Sequence, residues 1–115
     1  MSNRTTGAFR LTISEKQYIA RTIKYQDVVL VNICDEELLG TTVKGDNVDM
    51  SISKDYFGGE KVSEDQAIRL VRGSSIVNLA GSRIVDRVLG ERLASERAVK
   101  KVGQVSFLMI YKFSK

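Results

Sequence analysis

SSIVNLAGSRIVDRVLG, residues 74–90, is the stretch around which the fold is read. At 3.6 residues per turn, Val77, Ala80, Gly81, Ile84, Val85 and Val88 fall on one continuous apolar face. That periodicity predicts a single amphipathic helix, with Ser74 or Ser75 as N-cap and Gly90 as the stop. Ser82, Arg83, Asp86 and Arg87 lie on the opposite side, and Arg83 and Arg87 project together one turn apart. Asn78 and Gly81 have no place in a purely structural helix. A glycine inside a helix costs about 1 kcal/mol relative to alanine, so Gly81 implies the close approach of another backbone. The arginines then have two readings, a solvated helix face or a binding face.

Upstream, Phe9, Leu11 and Ile13 alternate with polar residues as a short strand does, and residues 1–17 are expected to form a flexible basic extension. YIARTIKY (18–25) and the β-branched run 28–33 read as a hairpin closed at Tyr25-Gln26-Asp27. CDEELLG (34–40) reads as a strand end and a helical turn, capped by Asp35 and stopped by Gly40, with Leu38 and Leu39 inward. Val48, Met50 and Ile52 alternate with polar residues as a half-buried strand. Tyr56-Phe57-Gly58-Gly59 reads as a loop with positive φ. Ser63 to Gln66 has the form of a capping box, opening a helix that buries Ala67, Ile68 and Val71 and stops at Gly73. Residues 92–101 continue the next helix or form a basic connector, and 102–113 make a closing strand. The expected fold is α+β: a small mixed or antiparallel sheet of four to five strands with two main helices on one face. Residues 18–115 form one domain.

Composition narrows the chemistry. The chain has no histidine, which removes the commonest general base and metal ligand. One cysteine excludes an internal disulfide and fits a reducing cytosol. No signal-like apolar region opens the chain and no run is long enough to cross a bilayer, so a cytoplasmic protein is expected. Charge is unevenly distributed. Residues 1–26 carry five basic and one acidic side chain, residues 27–65 three and ten, and residues 66–115 ten and three. Basic ends suit a polyanion, and an acidic middle suits a basic partner.

CDEELLG (34–40), YFGGE (56–60) and IVNLAGSRIV (76–85), in that order and spacing, resemble an archaeal family known as domain of unknown function 424. The resemblance covers roughly residues 18–110. It implies a small archaeal cytosolic protein associated with translation genes, and brings no catalytic activity. Family members tend to carry a Pro-His-Ala-Gln-like stretch after a late glycine. The equivalent stretch here, Gly103 to Leu108, lacks the proline and the histidine.

Cys34 follows an apolar strand and precedes three acids, and both features raise a thiol pKa, so it is expected to be inert. Asp35, Glu36 and Glu37 do not converge as consecutive residues on a turn, so no metal is expected. No phosphate-cradling loop occurs, and no cofactor or small-molecule substrate is expected. Arg83, Arg87, Arg92, Arg97, Lys100 and Lys101 crowd into nineteen residues, with Arg4 and Arg10 on the N-terminal arm. With Asn78, these are the expected RNA-binding residues of a non-catalytic, accessory ribosomal protein that contacts rRNA backbone beside neighbouring ribosomal proteins. No aromatic platform for single strands is evident, so structured RNA is favoured. The alternative is a protein-interaction module docking a basic partner on its acidic 35–65 surface.

Overall fold

The computed structural model describes residues 17–112. Arg4, Arg10 and the proposed strand at 9–13 lie outside the described residues. The hairpin is as expected: β1 (Tyr18–Tyr25) pairs antiparallel with β2 (Val28–Asp35), Tyr25 opposite Val28. Gln26 takes a positive φ of 55° in the two-residue turn, as hairpins of that length require.

The 74–90 stretch is not one helix. Ile76–Ala80 is a strand, β6, parallel to β2, and only Ser82–Gly90 is helical, α3. Val77 and Leu79 enter the cluster beneath the helices, whereas Ala80 belongs to the cluster on the opposite face. A segment buried on both sides carries apolar residues in a pattern that also satisfies a helical face. Gly81 (φ 131°) separates the two elements, and neither Ser74 nor Ser75 caps α3.

Six strands, rather than four or five, form the main mixed sheet in the order β5-β1-β2-β6-β8-β7. Here β5 is Glu60–Val62, β7 Lys100–Val102 and β8 Val105–Tyr111. The closing strand therefore starts after a turn at Gly103, where φ is 58°. Among the described residues β3 (Thr42–Lys44) and β4 (Asp49–Ser51) pair only with each other, so the alternation at 48–52 makes a separate hairpin. Val48 and Met50 are exposed and Ile52 is buried.

Among the described residues there are three α-helices, rather than two. α2 (Glu64–Gly73) has the expected capping box: Ser63 Oγ accepts from Gln66 N, and Gln66 Oε1 accepts from Ser63 N. Its Ala67, Ile68 and Val71 join Ile84, Val85 and Val88 of α3 against Val31, Ile33, Val77 and Leu79. The one-turn α1 (Lys54–Phe57) lies on the other face, where Phe57 and Ile52 cover Ile19, Cys34 and Ala80. Gly58 has a φ of −70°, so this turn does not need positive φ. It needs small residues, because a β-carbon on Gly58 or Gly59 would overlap the carbonyl of Lys54 or Ala20. Among the described residues, no helix is long and apolar enough to cross a membrane.

Candidate nucleic-acid interface

The two arginines of α3 face acids. Arg83 forms an ion pair with Glu37 at 2.6 Å, and its guanidinium lies 5.0 Å from the Tyr18 ring centroid. That hydrogen bond to Glu37 is the largest reason that the Arg83 pKa rises and the Glu37 pKa falls. Arg87 meets Glu91 one turn on and Glu64 of α2 at 3.6 Å. Lys61 joins Glu36 at 3.1 Å, and Lys44 joins Asp49 at 3.3 Å. The basic C-terminal and acidic central segments thus partly neutralise each other inside one molecule. A sequence read segment by segment does not show that pairing, because the partners of Arg83 and Glu37 are 46 positions apart.

Asp35 is directed elsewhere than expected. Its carboxylate accepts from the backbone N–H groups of Arg83 at 3.0 Å and Ile84 at 2.9 Å, capping α3 from the end of β2. It makes no side-chain cap to the 3-10 turn Glu36–Leu38 that follows it. Burial holds the Asp35 pKa above the ordinary aspartate value, partly offset by the two N–H donors and Arg83. Cys34 is fully buried, and its thiol is pushed up to about 12 by burial and then by the charges of Asp35 and Glu37. Among the described residues, no group of three or more His, Cys, Asp or Glu side chains is placed to hold a metal ion.

The remaining cations of the expected set lie together in sequence. Arg92, at a positive φ of 60°, follows α3, and Arg97 sits in the 3-10 turn Glu96–Ala98. Lys100 and Lys101 form the edge strand β7. All four are exposed and have no ion pair among the described residues.

Asn78 belongs to a row across the sheet. The register places Arg21, Asn32, Asn78 and Met109 side by side on the face opposite α2 and α3. Asn32 donates through Nδ2 to the Tyr56 carbonyl at 2.9 Å. Its Oδ1 accepts from Asn78 Nδ2 at 2.7 Å. Asn78 Oδ1 is buried and has no hydrogen-bond partner among the described residues. Asn78 as a residue lines a cleft of about 650 Å³ between the β3–β4 hairpin and α1 on one side and β7–β8 on the other, with Met50, Tyr56, Lys100, Phe107 and Met109 around it.

The same face carries partly exposed side chains beyond this row. Ile23, Leu30, Ile76 and Tyr111 stand in register across it, with Ile23 43% and Tyr111 56% exposed. Tyr56 is 62% exposed. Exposed rings are therefore present, although none is evident from the sequence alone. The signal was the period-two set Phe107, Met109 and Tyr111, hidden within a run that reads as apolar on both faces.

No curated protein matches this chain. Its fold is similar to that in the crystal structure of an uncharacterized conserved protein from Methanopyrus kandleri, with a TM-score of 0.71 at 22% identity over 86% of this chain and 94% of that one. The family described as "Protein of unknown function (DUF424)" matches residues 23–113, most of the sequence and all of the sheet from β2 onward, and the chain belongs to that family.

Proposed function

We propose that this is a non-catalytic RNA-binding protein of the cytoplasmic translation apparatus. It acts as an accessory ribosomal protein whose RNA contact is the β7 edge, with Arg92, Arg97, Lys100 and Lys101 holding phosphates. The observation that carries the reading is the difference among the cations. Arg83 and Arg87 are paired with acids, whereas these four are exposed and unpaired among the described residues. A charge already paired gains little from a phosphate, because the new contact must replace an existing one. The acidic 35–65 segment is the weaker docking surface, since Glu36, Glu37, Asp49 and Glu64 have basic partners and Asp35 is buried.

Titrating affinity for ribosomal RNA against salt, beside sedimentation of native lysate at low and high salt, tests this. Four phosphate contacts give a log–log slope of about −3 to −4. The protein should travel with ribosomal subunits at low salt and leave them at high salt. A protein that stays at the top of the low-salt gradient above intact ribosomes, and shows no salt-dependent binding, would refute the reading.

A further inference from the structure

We infer that the cleft beside Asn78 receives one unpaired base of the bound RNA, with Asn78 Oδ1 accepting a hydrogen bond from the base edge. The inference rests on the RNA reading above and adds base contact to it.

The amide chain sets the polarity of the site. Asn32 must turn Nδ2 toward the Tyr56 carbonyl, so its Oδ1 faces Asn78. Asn78 must then offer Nδ2 to Asn32, because a reversed amide would set two oxygens against each other. Asn78 Oδ1 is left buried without a donor among the described residues. Such an atom costs about 1–3 kcal/mol and calls for a partner. Asn78 lies among the lining residues of the cleft, whose apolar walls include Met50, Phe107 and Met109, so an occupant that shifts its amide slightly gains the buried acceptor. Its volume, about 650 Å³, is in the range of sites that take a flat ring system.

An occupant with only apolar atoms would seal the acceptor unsatisfied. A base carries an N–H donor on its edge and two apolar π-faces that stack on aromatic and thioether side chains. The rim favours the same occupant. Lys100 lines the cleft from β7, opposite Phe107 of β8, and Met109 of β8 is opposite Asn78. Lys100 and Asn78 are thus two strands and two residues apart, roughly 12 Å between backbones, a gap that the long Lys100 side chain narrows toward the span from a phosphate to the far edge of its own base. Phosphate on the edge strand and base in the cleft can come from one nucleotide.

The test uses the full chain and four RNA probes: a stem with an unpaired uridine loop, the same stem as continuous duplex, the stem-loop with abasic loop positions, and the stem-loop with N3-methyluridine. Uridine has one donor on its edge, N3–H, so methylation removes the bond from the ligand side without altering the protein. The uridine loop should bind at least tenfold tighter than the duplex. Abasic and N3-methyl loops should fall to the duplex value. Tyr56→Ala with Met109→Ala, both at exposed positions, should erase the loop preference and leave duplex affinity unchanged. If loop and duplex bind equally in the unaltered protein, the cleft inference is wrong while the backbone reading stands. If neither binds, both fail. If N-acetyltryptophanamide occupies the cleft and the uridine loop does not displace it, the cleft belongs to a protein side chain and the inference is overturned.

Discussion

The carboxylate of Asp35 occupies the space that a side chain on Gly81 would fill. β2 ends in the acid, the glycine directly follows β6, and the two strands run parallel side by side. Asp35 therefore reaches the first turn of α3, which has no side-chain cap from its own N-terminus. The CDEE and LAGS stretches are two halves of one joint.

Gly81→Ala should be among the most damaging single changes in the chain. It places a methyl group against Asp35 and a β-carbon at a φ of 131°. Strain and overlap together should cost about 3 kcal/mol or more. Asp35→Ala should cost a comparable amount by leaving the buried N–H of Ile84 and the part-buried N–H of Arg83 without an acceptor, about 1–3 kcal/mol for a buried donor. Denaturant melts of both variants check this. A loss below about 1 kcal/mol in either would show that the joint does not hold α3.

The same joint explains what was legible in the sequence. Ser63 and Gln66 are three residues apart, so their reciprocal cap could be read directly, and α2 is where it should be. The hairpin at Gln26-Asp27 is equally local. Ile76–Ala80 reads as helix in the sequence because Val77 and Ala80 suit a helical face as well as the two sides of a buried strand. The choice between them depends on β2 and β8, far away in sequence. The partners of Arg83, Asp35 and Asn78 are likewise 46 to 49 residues distant. Composition announces such charges and amides, but only the fold assigns their partners.

Cys34 should resist alkylation in the folded protein at neutral pH. It is fully buried, and its pKa of about 12 leaves almost no thiolate. Cys34→Ser should cost about 1–3 kcal/mol by placing a hydroxyl in an apolar cluster. Mass spectrometry after iodoacetamide, with and without denaturant, reads the first point. Rapid labelling without denaturant would contradict it.

Glu37 and Asp35 should respond to pH with opposite signs. Glu37 is lowered from 4.5, chiefly by Arg83. Its contribution is thus present above that ordinary value and is lost as pH falls through the lower folded value. Glu37→Gln should cost less than about 1 kcal/mol at neutral pH, because the pair is largely solvated, and less still below pH 4. Asp35 is raised from 3.8, chiefly by burial. Its contribution is complete below that value and is lost as pH rises through the higher folded value. The cost of Asp35→Asn should therefore be larger at pH 3 than at pH 7. Melts of the three proteins across this range would expose a wrong sign.

Charge reversal at two places separates a structural basic helix from a binding edge. Arg83→Glu with Arg87→Glu sets new carboxylates against Glu37, Glu64 and Glu91. Like charges at those distances repel, so the variant should melt at a lower temperature. It should still bind RNA to within about threefold once folded, because only overall charge has changed near the β7 edge. Lys100→Glu with Lys101→Glu alters two exposed residues without ion pairs among the described residues. Folding should shift by no more than about 0.5 kcal/mol. RNA affinity should drop at least tenfold, about 1.4 kcal/mol, and the salt slope should shrink by roughly two units as two phosphate contacts disappear. The measurement is a salt titration of RNA affinity at a temperature where both variants are folded. If the arginine variant loses the salt-dependent binding and the lysine variant keeps it, the polyanion sits on α3, and its arginines exchange Glu37 and Glu64 for phosphate when RNA arrives.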